Sequence, residues 1–332
     1  MAGPEATPRV LHVAFDGCDA TIVRSMAASG RCPNLAALLE RAADVDTVAP
    51  YGTFVGSSWM TISTGQDVGR HGFWNWLEVD PATYTLYEPD PRRVTARTLW
   101  RQLSDAGRRV AVLDVPHMER PPESFNGVAL KEWGCHDRHD GTESVPASLL
   151  DELDAEIGRH PVGCWQHPDG RAMFAPCDYR GRTQRFRSVD ELAELVEALR
   201  VGVDRKRDVT LRVLGQDRWD LFTTVFGESH CVGHQLWHVH DPEHPRHDPV
   251  ERERLGDPLE DVYVRLDAAL GDLLAAVGPE TTVVFQTNHG MGPHYDGAHL
   301  FDEILRRIDE GTRGTFRPGR VSSVARRVDG RI

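Results

Sequence analysis

The chain has 332 residues, with 51 Asp and Glu against 38 Lys and Arg, for a formal net charge of −13. Domains run to about 100–200 residues, so this is one large domain or two, and 40% apolar residues with 30 Gly are enough for a core. Disorder and low-complexity fibre are excluded for the bulk of the chain, and the acidic balance argues against a nucleic-acid binder, which needs a concentrated basic face.

No segment before Val10 has the basic-then-apolar pattern of a secretion signal, and no stretch approaches 18 apolar residues, so no membrane span is expected. The first buried strand is predicted over Val10–Phe15 by its length, β-branching and flanking breakers. A helix is predicted over Leu35–Ala43, behind the start signal Pro33-Asn34. Next, a Gly-punctuated approach from Ala49 to Gly56 leads into Ser57-Ser58-Trp59, which reads as a helix N-terminus. Such an end offers free N–H groups and a positive dipole to an anion, with hydroxyls close by, although a Ser N-cap on an ordinary helix has the same look. A helix over Thr98–Ala106 stops at Gly107, and a strand comes next over Val110–Val115.

Between Pro116 and about Asp204 the pattern changes to Pro121-Pro122, Pro161, Pro176, several Gly and unmatched aromatics, with helical segments near 147–158 and 189–202. It reads as an inserted cap. Strands return over Leu221–Phe226 and Thr282–Thr287, separated by a helix over Leu259–Val277 that stops at Gly278-Pro279. The last stretch, 311–332, is Arg-rich with little apolar content and reads as a tail or the start of a further segment. Alternating strands and helices predict an α/β fold with a largely parallel central sheet covered by helices on both faces. The expected organisation is a core of 1–116 and 205–310, a cap of 117–204, and the tail. The six cysteines, Cys18, Cys32, Cys135, Cys164, Cys177 and Cys231, are scattered without CxxC or disulfide-module spacing, which predicts reduced thiols in a cytoplasmic protein.

Ligands of an open parallel sheet bind beyond the carboxyl ends of its strands. Asp16-Gly17 comes after the first strand, Gly227 to His234 after the third, and Asn288-His289-Gly290 after the fourth. His230 and His234 are four apart, which on a helix aims both imidazoles at one ion. An amphipathic His-rich turn explains such a pair equally well, and His238, His240, His244 and His247 are read that way. The convergence at one sheet edge predicts a metal site formed by Asp16, His230, His234, Asn288 and His289. Trp133, His136 and His139 could line its entrance, but core packing and a solvated loop explain them as well.

These residues match a known pattern. Phe15-Asp16-Gly17, then Pro50 and Trp59 with Thr64-Gly65 and His71-Gly72, then Leu99-Trp100 with Ala106-Gly107, resemble the alkaline phosphatase superfamily. Trp219-Asp220, Glu228 to His234 with Trp237, and Asn288-His289-Gly290-Met291 come in the expected order. The narrower resemblance is to its type I phosphodiesterase/nucleotide pyrophosphatase and phosphohydrolase/phosphomutase-like branch. It implies an alkaline phosphatase-like sheet with a bimetal, usually zinc, site and a Thr or Ser at a helix start that attacks phosphorus or sulfur. Asp16 then matches the first-strand ligand, His234 the His of an Asp-x-x-x-His pair, and His289 the His of a Ser-Asp-His-Gly motif.

The departures are specific. His230 and Asn288 stand where the resemblance implies Asp, and an ungapped count back from Thr64-Gly65 puts the nucleophile position on Val55. Thr53, Ser57 and Ser58 are the hydroxyls nearby and are the candidate catalytic residues. The branch usually draws another His from a later segment, and His294 and His299 come too soon to fill that role. Neutral imidazole and amide ligands coordinate without neutralising charge. One ion held by Asp16, Asn288 and His289, or one held by His230 and His234, is therefore favoured over two tight sites.

The expected activity is metal-dependent hydrolysis of a small-molecule phosphate ester, with zinc as the expected ion and no nucleic acid or membrane partner. Three other readings stay open. They are a member that binds an anion or partner without turnover, a sulfate ester hydrolase, and a fragment of a longer enzyme. Oligomeric state is not legible.

Overall fold

The computed structural model describes residues 9–49, 52–53, 55–75, 78–87, 94, 96–136, 141–161, 188–293 and 298–313. In chain order its elements are β1 (Val10–Phe15), α1 (Ala20–Ala28), α2 (Pro33–Leu39), α3 (Val55–Thr64), α4 (Val68–His71), β2 (Glu78–Val79), β3 (Leu86–Tyr87), α5 (Leu99–Asp105) and β4 (Val110–Leu113). They continue with β5 (Gly127–Lys131), β6 (Glu143–Val145), α6 (Ser148–Glu156), α7 (Val189–Leu214), β7 (Leu221–Phe226), α8 (Glu228–His240), α9 (Pro249–Leu255), α10 (Pro258–Ala275), β8 (Thr282–Thr287) and α11 (Ala298–Arg313).

The central sheet has six strands in the order β6-β5-β4-β7-β1-β8. All neighbours run parallel except β6, which pairs antiparallel to β5 at one edge. Both faces are covered, and the side chains alternate accordingly. Leu11, Val13 and Phe15 of β1 and Ala111 and Leu113 of β4 join the core under α1, α2, α6, α7, α8 and α10. Ala14, Val110, Val112 and Val225 point the other way, onto Trp59 of α3 and Trp100 of α5. This is why β4 is buried at every position and reads as a continuous apolar run.

Strand register decides where the site can form. Phe15 pairs with Phe226 on one side and Thr287 on the other, so the carboxyl ends of β1, β7 and β8 are level. Asp16, Gly227 and Asn288 thus leave the sheet together.

Helix starts reflect local chemistry. Asp19 caps α1 by accepting from the Thr21 and Ile22 N–H groups. Ser188 and Glu191 form a reciprocal capping box on α7. Asp257 caps α10, with Pro258 at its first position.

Residues 117–204 differ from the expected cap. Within them β5 and β6 extend the sheet, and Leu192, Leu195, Val196, Leu199 and Val203 of α7 pack into its main core. The described part of this stretch is thus built into the sheet, while 162–187 lie outside the described residues. A small antiparallel pair, β2 with β3, stands apart from the central sheet. Helix α11 belongs to a second unit, apart from the one that holds the sheet. Leu300, Phe301, Ile304, Leu305 and Ile308 recur there at helical spacing. His294 and residues 314–332 lie outside the described residues.

Among the described residues no helix is long and apolar enough to cross a membrane. Cys18, Cys32, Cys135 and Cys231 are free and buried; Cys164 and Cys177 lie outside the described residues.

Candidate metal centre at the strand ends

Asp16 is the hub of the site. It is buried at the end of β1, with Oδ2 2.7 Å from His230 Nδ1 and Oδ1 3.5 Å from His289 Nε2. The Trp59 indole N–H donates to Oδ1 at 2.9 Å. Burial pushes the carboxyl up, but the charges and hydrogen bonds of His230 and His289 outweigh it and hold Asp16 well below the usual carboxylate range. The group is therefore a carboxylate at neutral pH.

Helix α8 is anchored at this point. The Ser229 hydroxyl donates to the Asp16 carbonyl at 2.6 Å, fixing the first turn of the helix against β1. Gly17 takes φ +63°, and a Cβ there would lie 2.9 Å from His230 Cα. Only glycine allows both the left-handed turn and this approach. His230 and His234 lie one helical turn apart, with their Nε2 atoms 2.8 Å from each other.

Asn288 ties β8 to the same turn. Its Oδ1 accepts from the Gly17 N–H at 3.2 Å, and its Nδ2 is buried with no hydrogen-bond partner among the described residues. His289 directs Nδ1 to the Gly290 carbonyl at 3.0 Å, leaving Nε2 for the Asp16 side.

The predicted ligands Asp16, His230, His234, Asn288 and His289 therefore converge on one edge. Two groups have ligand atoms close enough to share an ion: Asp16 with His230 and His289, and His136 with His230 and His234. From the sequence His136 is at most an entrance residue and not a ligand, because the strand before it, β5, is not evident there. The signal that could have found it is Trp133-Gly134-Cys135-His136 immediately past a strand end. His139 lies outside the described residues. A third group, His240, Asp257 and Glu260, is accounted for by folding. Asp257 caps α10 and pairs with Arg252 and His240, and Glu260 pairs with Arg31.

The hydroxyls behave differently from one another. Helix α3 begins at Val55, so Ser57 and Ser58 are its third and fourth residues rather than its cap. Ser57 is buried, whereas Ser58 is half-buried and donates to the Val55 carbonyl at 2.5 Å. Thr53 is half-buried and lies ahead of the helix. Val55 itself is 43% exposed.

A mostly parallel sheet with a carboxylate–imidazole cluster at its strand ends has the fold of the alkaline phosphatase-like hydrolases. The family model for type I phosphodiesterase / nucleotide pyrophosphatase matches residues 10–328, and the chain belongs to that family, within the alkaline phosphatase superfamily. Two crystal structures of phosphonoacetate hydrolase from Sinorhizobium meliloti 1021 share the fold. The complex with phosphonoformate gives a TM-score of 0.54 over 93% of this chain, and that with phosphonoacetate 0.55 over 92%. Both are 19% identical to it, and this chain spans 63% of their length. A search of curated proteins gives no match.

Proposed function

We propose that the protein is a metal-dependent hydrolase of small phosphate or phosphonate esters, with zinc as its ion. The observation that carries this reading is the ionised Asp16 carboxylate set between His230 and His289 at the level ends of β1, β7 and β8. The donor set fits a divalent transition metal, being one hard carboxylate with several imidazoles. Asp16, Asn288 and His289 would hold one ion, or His230 with His234 would hold it instead. Such an ion polarises the ester oxygen and offsets negative charge that develops on it.

The chain's own groups do the rest. Trp59, near the middle of α3, ties that helix to Asp16 through its indole N–H. Of the candidate nucleophiles, Ser58 already uses its proton on a backbone carbonyl and Ser57 is buried. Thr53, half-buried ahead of the helix, is the candidate taken to the test below. The solved neighbours bind phosphonoacetate and phosphonoformate, which adds carboxylated phosphonates to the substrates worth assaying.

A second reading is a family member that binds an anion without turning it over. The apolar, exposed Val55 at the expected nucleophile position favours it. Purified protein assayed with bis-p-nitrophenyl phosphate, p-nitrophenyl phosphate, p-nitrophenyl sulfate and phosphonoacetate, each with Zn²⁺, Mn²⁺ and Ca²⁺, separates the readings. Turnover lost in Thr53→Ala supports the hydrolase. Metal bound tightly with no turnover of any substrate favours the anion binder, and turnover of the sulfate alone makes it a sulfatase.

A further inference from the structure

We propose that the buried pair of His160 and Glu228 is a positioning device for the metal centre. It fixes the roll of the first turn of α8, and with it the approach of His230 to Asp16. The inference rests on the proposed metal centre and deepens it, and part of its test needs no metal.

Glu228 opens α8 and precedes His230 by two residues. At 3.6 residues per turn their side chains leave the helix roughly 200° apart. Glu228 therefore faces away from the site when His230 faces it. His230 Nδ1 meets Asp16 Oδ2 at 2.7 Å, while Glu228 Oε1 lies 2.8 Å from His160 Nε2, against α7. Between them Ser229 donates to the Asp16 carbonyl at 2.6 Å. The first turn is thus held to β1 on one side and to His160 on the other. The N-cap residue, Gly227, has no side chain to add a further hold.

The surroundings are fitted to the pair. The His160 ring meets Trp133 edge-on with centroids 5.3 Å apart, and Asp114 holds the Trp133 and Gly134 N–H groups, both at 2.7 Å. A Cβ at Gly134 would lie 3.1 Å from His160 Cδ2. On α7, a Cβ at Gly202 would lie 2.7 Å from His160 Nε2 and 3.4 Å from Glu228 Oε1. Glycine is unfavourable in the interior of a helix, and the closeness of the pair accounts for it here.

Stability does not account for the pair. The His160 and Glu228 side chains are 2% and 1% exposed, and Glu228 Oε2 is buried with no hydrogen-bond partner. An unmatched buried oxygen is costly. Apolar residues of similar size in place of a buried ion pair are often neutral or stabilising. What they do not supply is direction, since a hydrogen bond fixes distance and angle where apolar packing does not.

Two measurements on the full chain test this: Co²⁺ titration against a chelator, and amide hydrogen exchange of the metal-free protein. His160→Leu/Glu228→Leu is expected to match or exceed the wild type in thermal melts. It should nevertheless bind Co²⁺ about tenfold more weakly. Its Cys231 amide, which closes the first turn on the Gly227 carbonyl, should exchange faster than in the wild type. Glu228→Gln keeps an oxygen for His160 and should stay close to the wild type in affinity and exchange. Gly202→Ala keeps both side chains but crowds them, and should act on affinity and exchange as the double variant does. Leu153→Ala, in the core under α6, should lose stability and keep its affinity. Wild-type exchange at Cys231 in the double variant, or in Gly202→Ala if the double variant does not fold, would show that the pair does not fix the turn. Faster exchange with unchanged Co²⁺ affinity would overturn its role at the centre and leave the metal-centre reading standing. If the wild type binds no Co²⁺, that reading fails on its own, and exchange still decides whether the pair fixes the turn.

Discussion

The Trp59 indole N–H donates to Asp16 Oδ1 at 2.9 Å, linking the middle of α3 on one face of the sheet to the carboxylate at the end of β1. Both groups are buried, and Trp59 also packs with Trp100 and Val225 in the core of that face. One side chain therefore serves the core and ties α3 to the site. Trp59→Phe keeps most of the packing and removes the donor. A hydrogen bond to a charged group is worth about 1.5–3 kcal/mol, and His230 and His289 still hold Asp16, so the loss should fall near the low end. Urea unfolding checks the stability change and chelator competition the metal affinity, which should also fall. A variant unchanged in both would mean that the indole only packs.

Gly17→Ala probes the contact between the β1–α1 turn and α8. An L side chain at φ +63° costs about 1–2 kcal/mol on conformation alone. The added Cβ would also press on His230 Cα, which is backbone and cannot swing away. Gly65→Ala is the matched control, with φ +66° and nothing within 4 Å of its would-be Cβ. Both variants should lose stability, but only Gly17→Ala should lose metal affinity. Equal affinities in the two would show that the position of His230 does not govern the site.

Lys206 and Asp114 are both fully buried, and their ion pair holds the turn that carries Trp133 and Gly134. Removing one partner of such a pair strands the other charge, typically at about 3–5 kcal/mol. Lys206→Met should approach that loss, softened by the two backbone donors that remain on Asp114. Adding Asp114→Asn removes the stranded charge and should restore part of the stability. Denaturant melts of the two proteins decide it, and a double variant less stable than Lys206→Met alone would contradict the account.

The pattern of β1, β7 and β8 is fully legible in the sequence, because each is a six-residue run rich in β-branched and aromatic residues and ended by a polar turn. The Val110–Val115 run closes two residues early, since Asp114 takes φ +56° to face Lys206 and the Trp133 turn. β5 escapes sequence reasoning because Gly127–Lys131 is short and comes soon after Pro121-Pro122, and β6 because three residues on an edge carry no period. That omission turns sheet residues into an expected cap. At the site, Asp16, His230 and His289 are legible through strand-end logic. His136 is not, since its place depends on a strand that the sequence does not reveal. The nucleophile is not legible either, because helical phase puts Val55 and Gly56, not a hydroxyl, one turn before Trp59.

His238 gives a pH signature away from the metal cluster. It is buried near the end of α8, where burial and the positive charges of Arg246, His244 and His247 press its pKa from 6.5 down to about 4. Glu251 lies 3.2 Å from its Nε2, but burial and Asp248 raise that carboxyl, which makes it a weak counter-charge. The folded value is below the unfolded one, so between about pH 6.5 and 4 the unfolded chain binds more protons. The contribution is fully present above pH 6.5 and is lost as pH falls towards 4. Below that, both states are protonated and the loss levels off. His238→Asn removes the titration and leaves any lost contact as a constant offset. Melting temperatures of the two proteins across this range should therefore converge as the pH falls. Parallel curves would show that His238 is protonated in the folded protein as readily as in the unfolded chain.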